Sequence, residues 1–267
     1  MGIFTLYLKP TANGSIKMIL VQRHFHVAKA NRTSFERMSS GGLWPAMREM
    51  GVQMVAYGTW GFAGTGDVVV THTAYADFDH WYATRRGYSA SEKVGAFYND
   101  PDILNAINHL MPIYTERDAL IDYSEAYPFL LDEEYSRPNV HYRTSDTGPS
   151  PLPPTFGRGS IMEEINYEFG SDAVANECKQ QLTEFVWPEI ERNGGRVIGL
   201  GTSALANNNT FTTFISYPSF REYVEYGRVP HMNSESSVHE AWQSIRQSSQ
   251  SMNRRLLIVG SDYGTNS

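Results

Sequence analysis

The stretch Gly66-Asp67-Val68-Val69-Val70-Thr71-His72-Thr73-Ala74-Tyr75-Ala76-Asp77-Phe78-Asp79-His80-Trp81-Tyr82-Ala83-Thr84-Arg85 changes period in its middle. In its first half Val68, Val70, His72 and Ala74 share one face of a strand, and Val69, Thr71 and Thr73 share the other. In its second half Asp77 is a capping residue and Phe78, Trp81 and Tyr82 fall at helical spacing, so a strand turns into a short helix. The same join recurs over residues 211–226, where Tyr217-x-x-Phe220-x-x-Tyr223 repeats Tyr75-x-x-Phe78-x-x-Trp81. The chain reads as a tandem repeat built around this corner.

Upstream, Met18–Val27 reads as a strand with Leu20, Gln22, His24 and His26 on one face. Ile19, Val21, Arg23, Phe25 and Val27 occupy the other. A helix capped by Thr33 or Ser34 carries Phe35, Met38, Leu43, Trp44 and Met47 and closes at Gly51, with Gly41-Gly42 expected to distort its middle. Gln53–Trp60 is a second strand, returned through a glycine-rich loop into Val68–Ala74. A helix over 103–114 and a last strand near 119–126 complete the order β-α-β-β-α-β, a ferredoxin-like arrangement. Ahead of all this, Asn13-Gly14 marks a turn that would fold an extra edge strand onto the next one.

Pro138, Pro149, Pro151, Pro153 and Pro154 then interrupt the pattern. Residues 131–158 read as a linker, either a passive tether or a lid over a cavity mouth. The order repeats with strands at 161–169, 196–203, 210–217 and 255–261 and helices at 172–193, 219–226 and 237–249. The expected units are therefore residues 1–130, a linker at 131–158, and residues 159–267. Trp44-Pro45 and Trp187-Pro188 are 143 positions apart, as are Gly51 and Gly194, and Gly58 and Gly201, while Tyr75 and Tyr217 are 142 apart. Such coincidences at one offset point to duplication.

Composition bounds the function. With 41% hydrophobic and 13% aromatic residues in 267, the chain is globular, and its formal net charge of −7 argues against a nucleic-acid surface. The single cysteine, Cys178, excludes an intrachain disulfide and is expected to be a buried, inert thiol in a helix. No apolar run approaches the ~20 residues of a membrane span, and the N-terminus lacks the pattern of a signal peptide. The expected setting is the cytoplasm.

The strand opening, the helix running into Trp-Pro and then Gly, the aromatic-bearing second strand, and Gly66-Asp67-Val68-Val69 followed by Tyr75-x-x-Phe78 together resemble the NIPSNAP-type branch of the dimeric α+β barrel superfamily. The resemblance implies two ferredoxin-like units whose sheets pair face to face into a barrel, formed here within one polypeptide, with further association into a homo-oligomer open. Relatives include cofactor-free monooxygenases acting on polyphenols, lactone isomerases, polyketide cyclases and haem-binding degraders. The resemblance thus implies a cavity between the sheets and not one reaction, and the leading expectation is an enzyme without an organic cofactor.

The residues best suited to chemistry are His24, His26 and His72. The first two point the same way from one strand, and His72 lies on the strand expected beside it, with its face dependent on register. At the offsets above, the second half carries Tyr167, Phe169 and Phe214 instead, which suggests one working site with an aromatic wall. Histidine acid/base chemistry on an aromatic, phenolic or lactone-like substrate is the leading reading. A metal held by His24, His26 and His72, or plain structural packing, are the alternatives. Tyr57 is a secondary catalytic candidate that would donate to a substrate oxygen, Trp60 is a candidate for substrate contact, and Arg23 for a carboxylate clamp or a pair with Glu164. Asp67 reads as a turn residue, and His80 as a surface or capping residue. The chain is read as a small-molecule enzyme of isomerase, lyase, cyclase or monooxygenase type, against a non-catalytic small-molecule, haem or metal-binding barrel.

Overall fold

The computed structural model describes residues 18–61, 68–86, 100–142, 147–226 and 236–262. The expected N-terminal strand and the glycine-rich loop with Asp67 lie outside them. The first half runs β1 (Ile19–His26), α1 (Arg32–Met38), α2 (Trp44–Glu49), β2 (Gln53–Gly61), β3 (Val68–Tyr75), α3 (Phe78–Arg86), α4 (Pro101–Asp118) and β4 (Tyr123–Leu131). The second runs β5 (Ile161–Phe169), α5 (Asp172–Gln181), α6 (Trp187–Arg192), β6 (Arg196–Ser203), β7 (Thr210–Tyr217), α7 (Phe220–Tyr226), α8 (Ser237–Ser248) and β8 (Ser249–Val259). The outer strands β4 and β8 differ most from the sequence reading. β4 reaches five residues further along the chain, to Leu131, and β8 begins six residues earlier, at Ser249.

The eight strands close into an antiparallel barrel in the order β1-β3-β2-β8-β5-β7-β6-β4. Each half contributes a ferredoxin-like sheet, and the halves meet at two short seams. One joins Gly58–Gly61 to Leu256–Val259, and the other joins Phe129–Leu131 to Gly201–Ser203. The inner strands are therefore buried on both faces, one in the barrel lumen and one under the helices, while the seam strands β4 and β8 stay largely exposed. This explains why β1, β2, β3 and β7 are almost wholly buried. Among the described residues no helix is long and apolar enough to cross a membrane.

The seam explains a glycine pair visible in the repeat. A Cβ on Gly58 would stand 1.9 Å from the Ile258 carbonyl oxygen, and one on Gly201 would stand 2.9 Å from the Phe129 Cβ. Each glycine lets a strand of one half approach a strand of the other.

The first helix of each half breaks at a five-residue π turn, Ser39–Leu43 and Leu182–Val186, directly before Trp-Pro. The second turn contains no glycine, so Gly41-Gly42 is not the common cause. Pro45 and Pro188 lack the N–H that would bond four residues back, and the widened turn accommodates that loss.

Residues of the proline-rich linker are bound to the first half along the start of β2. Ser150 Oγ donates to the Val52 carbonyl, Gln53 Nε2 donates to the Leu152 carbonyl (2.9 Å), and Thr155 Oγ1 donates to the Val55 carbonyl (3.1 Å). Val55 sits at a bulge between Met54 and Ala56, where its carbonyl has left the ladder. This strap lies at the end of β2 remote from Trp60 and Gly61.

His80 is fully buried, which corrects the surface reading. Its Nδ1 accepts from the Ala76 amide (3.1 Å) and its Nε2 donates to the Met50 carbonyl (2.8 Å). Asp77 caps the helix by accepting from the His80 amide (2.8 Å), and Tyr142 of the linker donates to the same carboxylate. Burial holds the imidazole down at about 4, so it is neutral and both ring nitrogens are satisfied. Cys178 is buried as expected, and burial pushes its thiol up to about 11.

Two outcomes follow for stability. Gly58→Ala is expected to lower the unfolding free energy by about 1–3 kcal/mol, more than Gly201→Ala, in denaturant titrations. The second concerns His80, whose folded pKa of about 4 lies below its unfolded value of 6.5, so the unfolded chain binds more protons between them. Its stabilising contribution is complete above 6.5 and is lost as pH falls through 6.5 towards 4, a loss of about 3 kcal/mol. His80→Gln is expected to flatten that slope in melts recorded across this window, and an unchanged slope would contradict the assignment.

Candidate active site in the barrel lumen

Residues directly opposed in an antiparallel ladder share a face. One rung of the lumen therefore holds Ala56, His72, Gln22 and Tyr127, and the next holds Gly58, Val70, His24 and Glu125. From the other half comes the rung Gly199, Phe214, Glu164 and Arg255. The floor is apolar: Met162, Leu257, Phe129 and Phe214 are buried, and Phe214 meets Phe129 edge-on at 5.4 Å.

Within this floor lies a polar cluster. Gln22 Nε2 donates to Glu164 Oε2 at 2.5 Å and stands 2.8 Å from His72 Nε2. His72 Nε2 is 3.6 Å from the same Glu164 oxygen, and its ring packs edge-on against Phe214 at 5.7 Å. Gln22 and His72 are on the first half and Glu164 on the second, so the cluster exists only where the two sheets face each other. His72 Nδ1 is buried and without a hydrogen-bond partner.

One rung nearer the mouth is His24. Trp60 stands edge-on to it at 5.8 Å and Tyr127 is tilted against it at 5.1 Å. Its Nδ1 is 3.7 Å from Glu125 Oε2, while its Nε2 is buried and without a hydrogen-bond partner. Burial, with the Arg255 guanidinium adding, holds the His24 pKa below the usual histidine value, against the pull of Glu164 and Glu125. The Arg255 guanidinium lies 5.5 Å from the centroid of Trp60. The mouth thus presents a neutral imidazole between two aromatic walls, with a cation beside it.

Register decides the remaining candidates. His26 is on the luminal face but at the rim, stacked on the exposed Tyr123 at 3.7 Å, two rungs from His72. Tyr57 and Arg23 both oppose Thr71 and so face the helices. Tyr57 packs against Trp44 at 5.0 Å, and burial pushes its hydroxyl well above the usual tyrosine range. Arg23 lies over the Phe25 ring (4.4 Å) and donates to Ser124 Oγ (3.2 Å), so it neither clamps a luminal substrate nor pairs with Glu164.

The expected aromatic wall of Tyr167 and Phe169 is likewise corrected. Ile19 pairs with Tyr75 and Ile161 with Tyr217, so the first strands of the halves correspond at 142, whereas the helices correspond at 143. A one-residue slip exchanges the faces of a strand. Tyr167 and Phe169 are stacked with Phe211 in the core under the helices, and the luminal counterparts of Gln22 and His24 are Glu164 and Asn166. Phe214 does match His72 and does face the lumen. Among the described residues no group of three histidine, cysteine or acidic side chains is arranged to hold a metal ion.

Gln22, Glu125, Tyr127 and Arg255 are site residues that motif reading passed over. Gln22 stood on the correct face of its strand with nothing to mark it, and Tyr127 fell one residue beyond the expected end of β4. Correspondence at 142 was the available signal for Glu164, since it sets that carboxylate against Gln22.

No protein-family model matches the chain, and no curated protein sequence matches it. Among solved structures it is similar to a candidate monooxygenase from Lactobacillus acidophilus, with a TM-score of 0.56 and 11% identity over 92% of this chain and 97% of that one. A candidate monooxygenase from Fusobacterium nucleatum gives 0.55 and 12% over 91% and 93%. A NIPSNAP family protein from Agrobacterium tumefaciens overlaps 37% of this chain and 90% of its own, with a TM-score of 0.32 and 15% identity. The full-length likenesses show the fold: an α+β protein of the dimeric α+β barrel type, with both halves of the barrel in one chain.

Proposed function

We propose that the protein is a small-molecule enzyme in which His24 takes a proton from a planar, oxygen-bearing substrate, phenolic or lactone-like, held at the barrel mouth between Trp60 and Tyr127. The observation that carries this reading is the His24 imidazole, deprotonated by its surroundings, with Nε2 buried and unpartnered between two aromatic rings. A neutral imidazole flanked by two aromatic rings, with its acceptor nitrogen unpartnered, is suited to taking a proton. Glu125, 3.7 Å from Nδ1, steadies the imidazolium as it forms. Arg255 offers a positive charge to the anion left behind. Proton transfer of this kind opens isomerisation, elimination and cyclisation, and, with dioxygen as oxidant, oxygenation. The NIPSNAP-like resemblance and the candidate monooxygenases of the same fold are consistent with this class.

The test is turnover of a panel of phenols and lactones by the purified protein. His24→Ala is expected to lower kcat by about 10²–10⁴-fold on any substrate found, with the fold intact by circular dichroism. Because the neutral imidazole is the active form and its pKa is lowered, kcat/KM is expected to rise with pH to a plateau, with a midpoint below 6.5. Turnover that survives His24→Ala, or a midpoint above 6.5, refutes His24 as the base. Binding without turnover in the wild type supports a carrier instead.

A further inference from the structure

The buried cluster behind His24 specifies the state of a second histidine. An ionised Glu164 can only accept a hydrogen bond, so the side-chain group of Gln22 that faces it at 2.5 Å is the NH₂. That same nitrogen is 2.8 Å from His72 Nε2. A proton on Nε2 would set two donors against each other, so Nε2 carries a lone pair and the His72 proton resides on Nδ1. Gln22 thereby occupies the space in which Glu164, only 3.6 Å from His72 Nε2, would otherwise draw a proton onto the ring. The donor that remains, Nδ1–H, is buried without a partner.

His24 has the complementary defect. Glu125 beside Nδ1 favours the proton there, which leaves the buried, unpartnered Nε2 as an acceptor. His24 and His72 stand at diagonal positions of one ladder, on one face. Such positions lie ~7–8 Å apart along the sheet, a span that one oxygen between two side chains can bridge. His26, Gln22, Glu125 and Tyr127 of the first half, and Glu164, Asn166 and Arg255 of the second, are among the polar groups turned to the lumen.

We infer that His24 and His72 together read a hydroxyl group: His24 Nε2 takes its proton, and His72 Nδ1–H donates to the oxygen that keeps the electron pair. Glu164 of the second half is a positioning residue that acts through Gln22 to hold the His72 proton on Nδ1. The step is a transfer of one proton from the O–H to His24, leaving an oxyanion hydrogen-bonded to His72. The substrate class narrows from oxygen-bearing compounds to phenols and enols with an ionisable O–H. This deepens the function proposed above and rests on it for the role of His24, while the state of His72 stands independently.

The first measurement is the nitrogen-15 spectrum of the imidazoles in the resting wild-type protein at neutral pH. His72 is expected to be protonated on Nδ1 alone. Gln22→Met, of similar volume, is expected to let Glu164 draw the His72 proton to Nε2, and adding Glu164→Gln to remove that pull. The second measurement uses 2-naphthol as probe. Bound naphthol is expected to ionise at least about one pH unit below the free compound, seen in its absorbance. His72→Phe should abolish that shift, and 2-methoxynaphthalene should show no such change. A resting His72 protonated on Nε2, naphthol that binds without the shift, or no naphthol binding at millimolar concentration each overturns the inference. If the tautomer and the naphthol shift are both found but no substrate is turned over, the enzymatic function fails and this inference stands.

Discussion

Closure of the barrel is the constraint on which the structure depends. A four-stranded sheet of either half ends in two edges whose backbone groups demand partners. The halves satisfy one another across two seams of four and three paired residues. These short ladders bring Gly58 under the Ile258 carbonyl and Gly201 against Phe129, and they turn one face of each sheet into the lining of a shared lumen. Without closure Glu164 would be an ordinary surface carboxylate. With it, the carboxylate is carried into an apolar floor, where it is tolerated because Gln22 meets it there.

The two faces of the wall are chemically distinct. Under the helices of the second half, Glu163 is paired with Arg254 at 3.0 Å and receives the Tyr217 hydroxyl at 3.4 Å. At the matching positions of the first half stand Val21 and Ala126. Neighbouring residues Glu163 and Glu164 thus face opposite ways, one into a fixed ion pair and the other into the lumen. The helix-side carboxylate is met by the Arg254 guanidinium and the Tyr217 hydroxyl, whereas the luminal imidazoles keep His24 Nε2 and His72 Nδ1 without a hydrogen-bond partner. That contrast separates a structural use of buried charge from a chemical one.

Much of the fold was legible in the chain itself. The change of period between Ala74 and Phe78, its recurrence near Tyr217, and the Trp-Pro and glycine coincidences carry the two β-α-β-β-α-β halves. The luminal face of β1 was legible too, because alternation alone sets Gln22 with His24. Register was what failed. One inserted residue between β1 and the Trp-Pro helix changes the offset from 142 to 143, and a period of two turns that single step into a change of face. Tyr167 and Phe169 were assigned to the lumen for this reason, and Glu164 was passed over as luminal. Arg23 and Tyr57 were misplaced because a strand buried on both faces gives no polarity signal for which side is the cavity. Gln22 has no chemistry of its own to announce it, and its importance arises only from what stands 2.5 Å and 2.8 Å away.

The two halves share one polypeptide, and this bears on what a barrel of this shape can hold. In an assembly of identical subunits, position 22 and its counterpart would be encoded by the same codon, so an amide could never oppose a carboxylate across the axis. Here the counterpart of Gln22 is Glu164 and that of His72 is Phe214. Joining the halves frees each half's copy of a position to vary alone. The lumen can then have a proton-handling end and a greasy end, a polarity that strict twofold symmetry forbids.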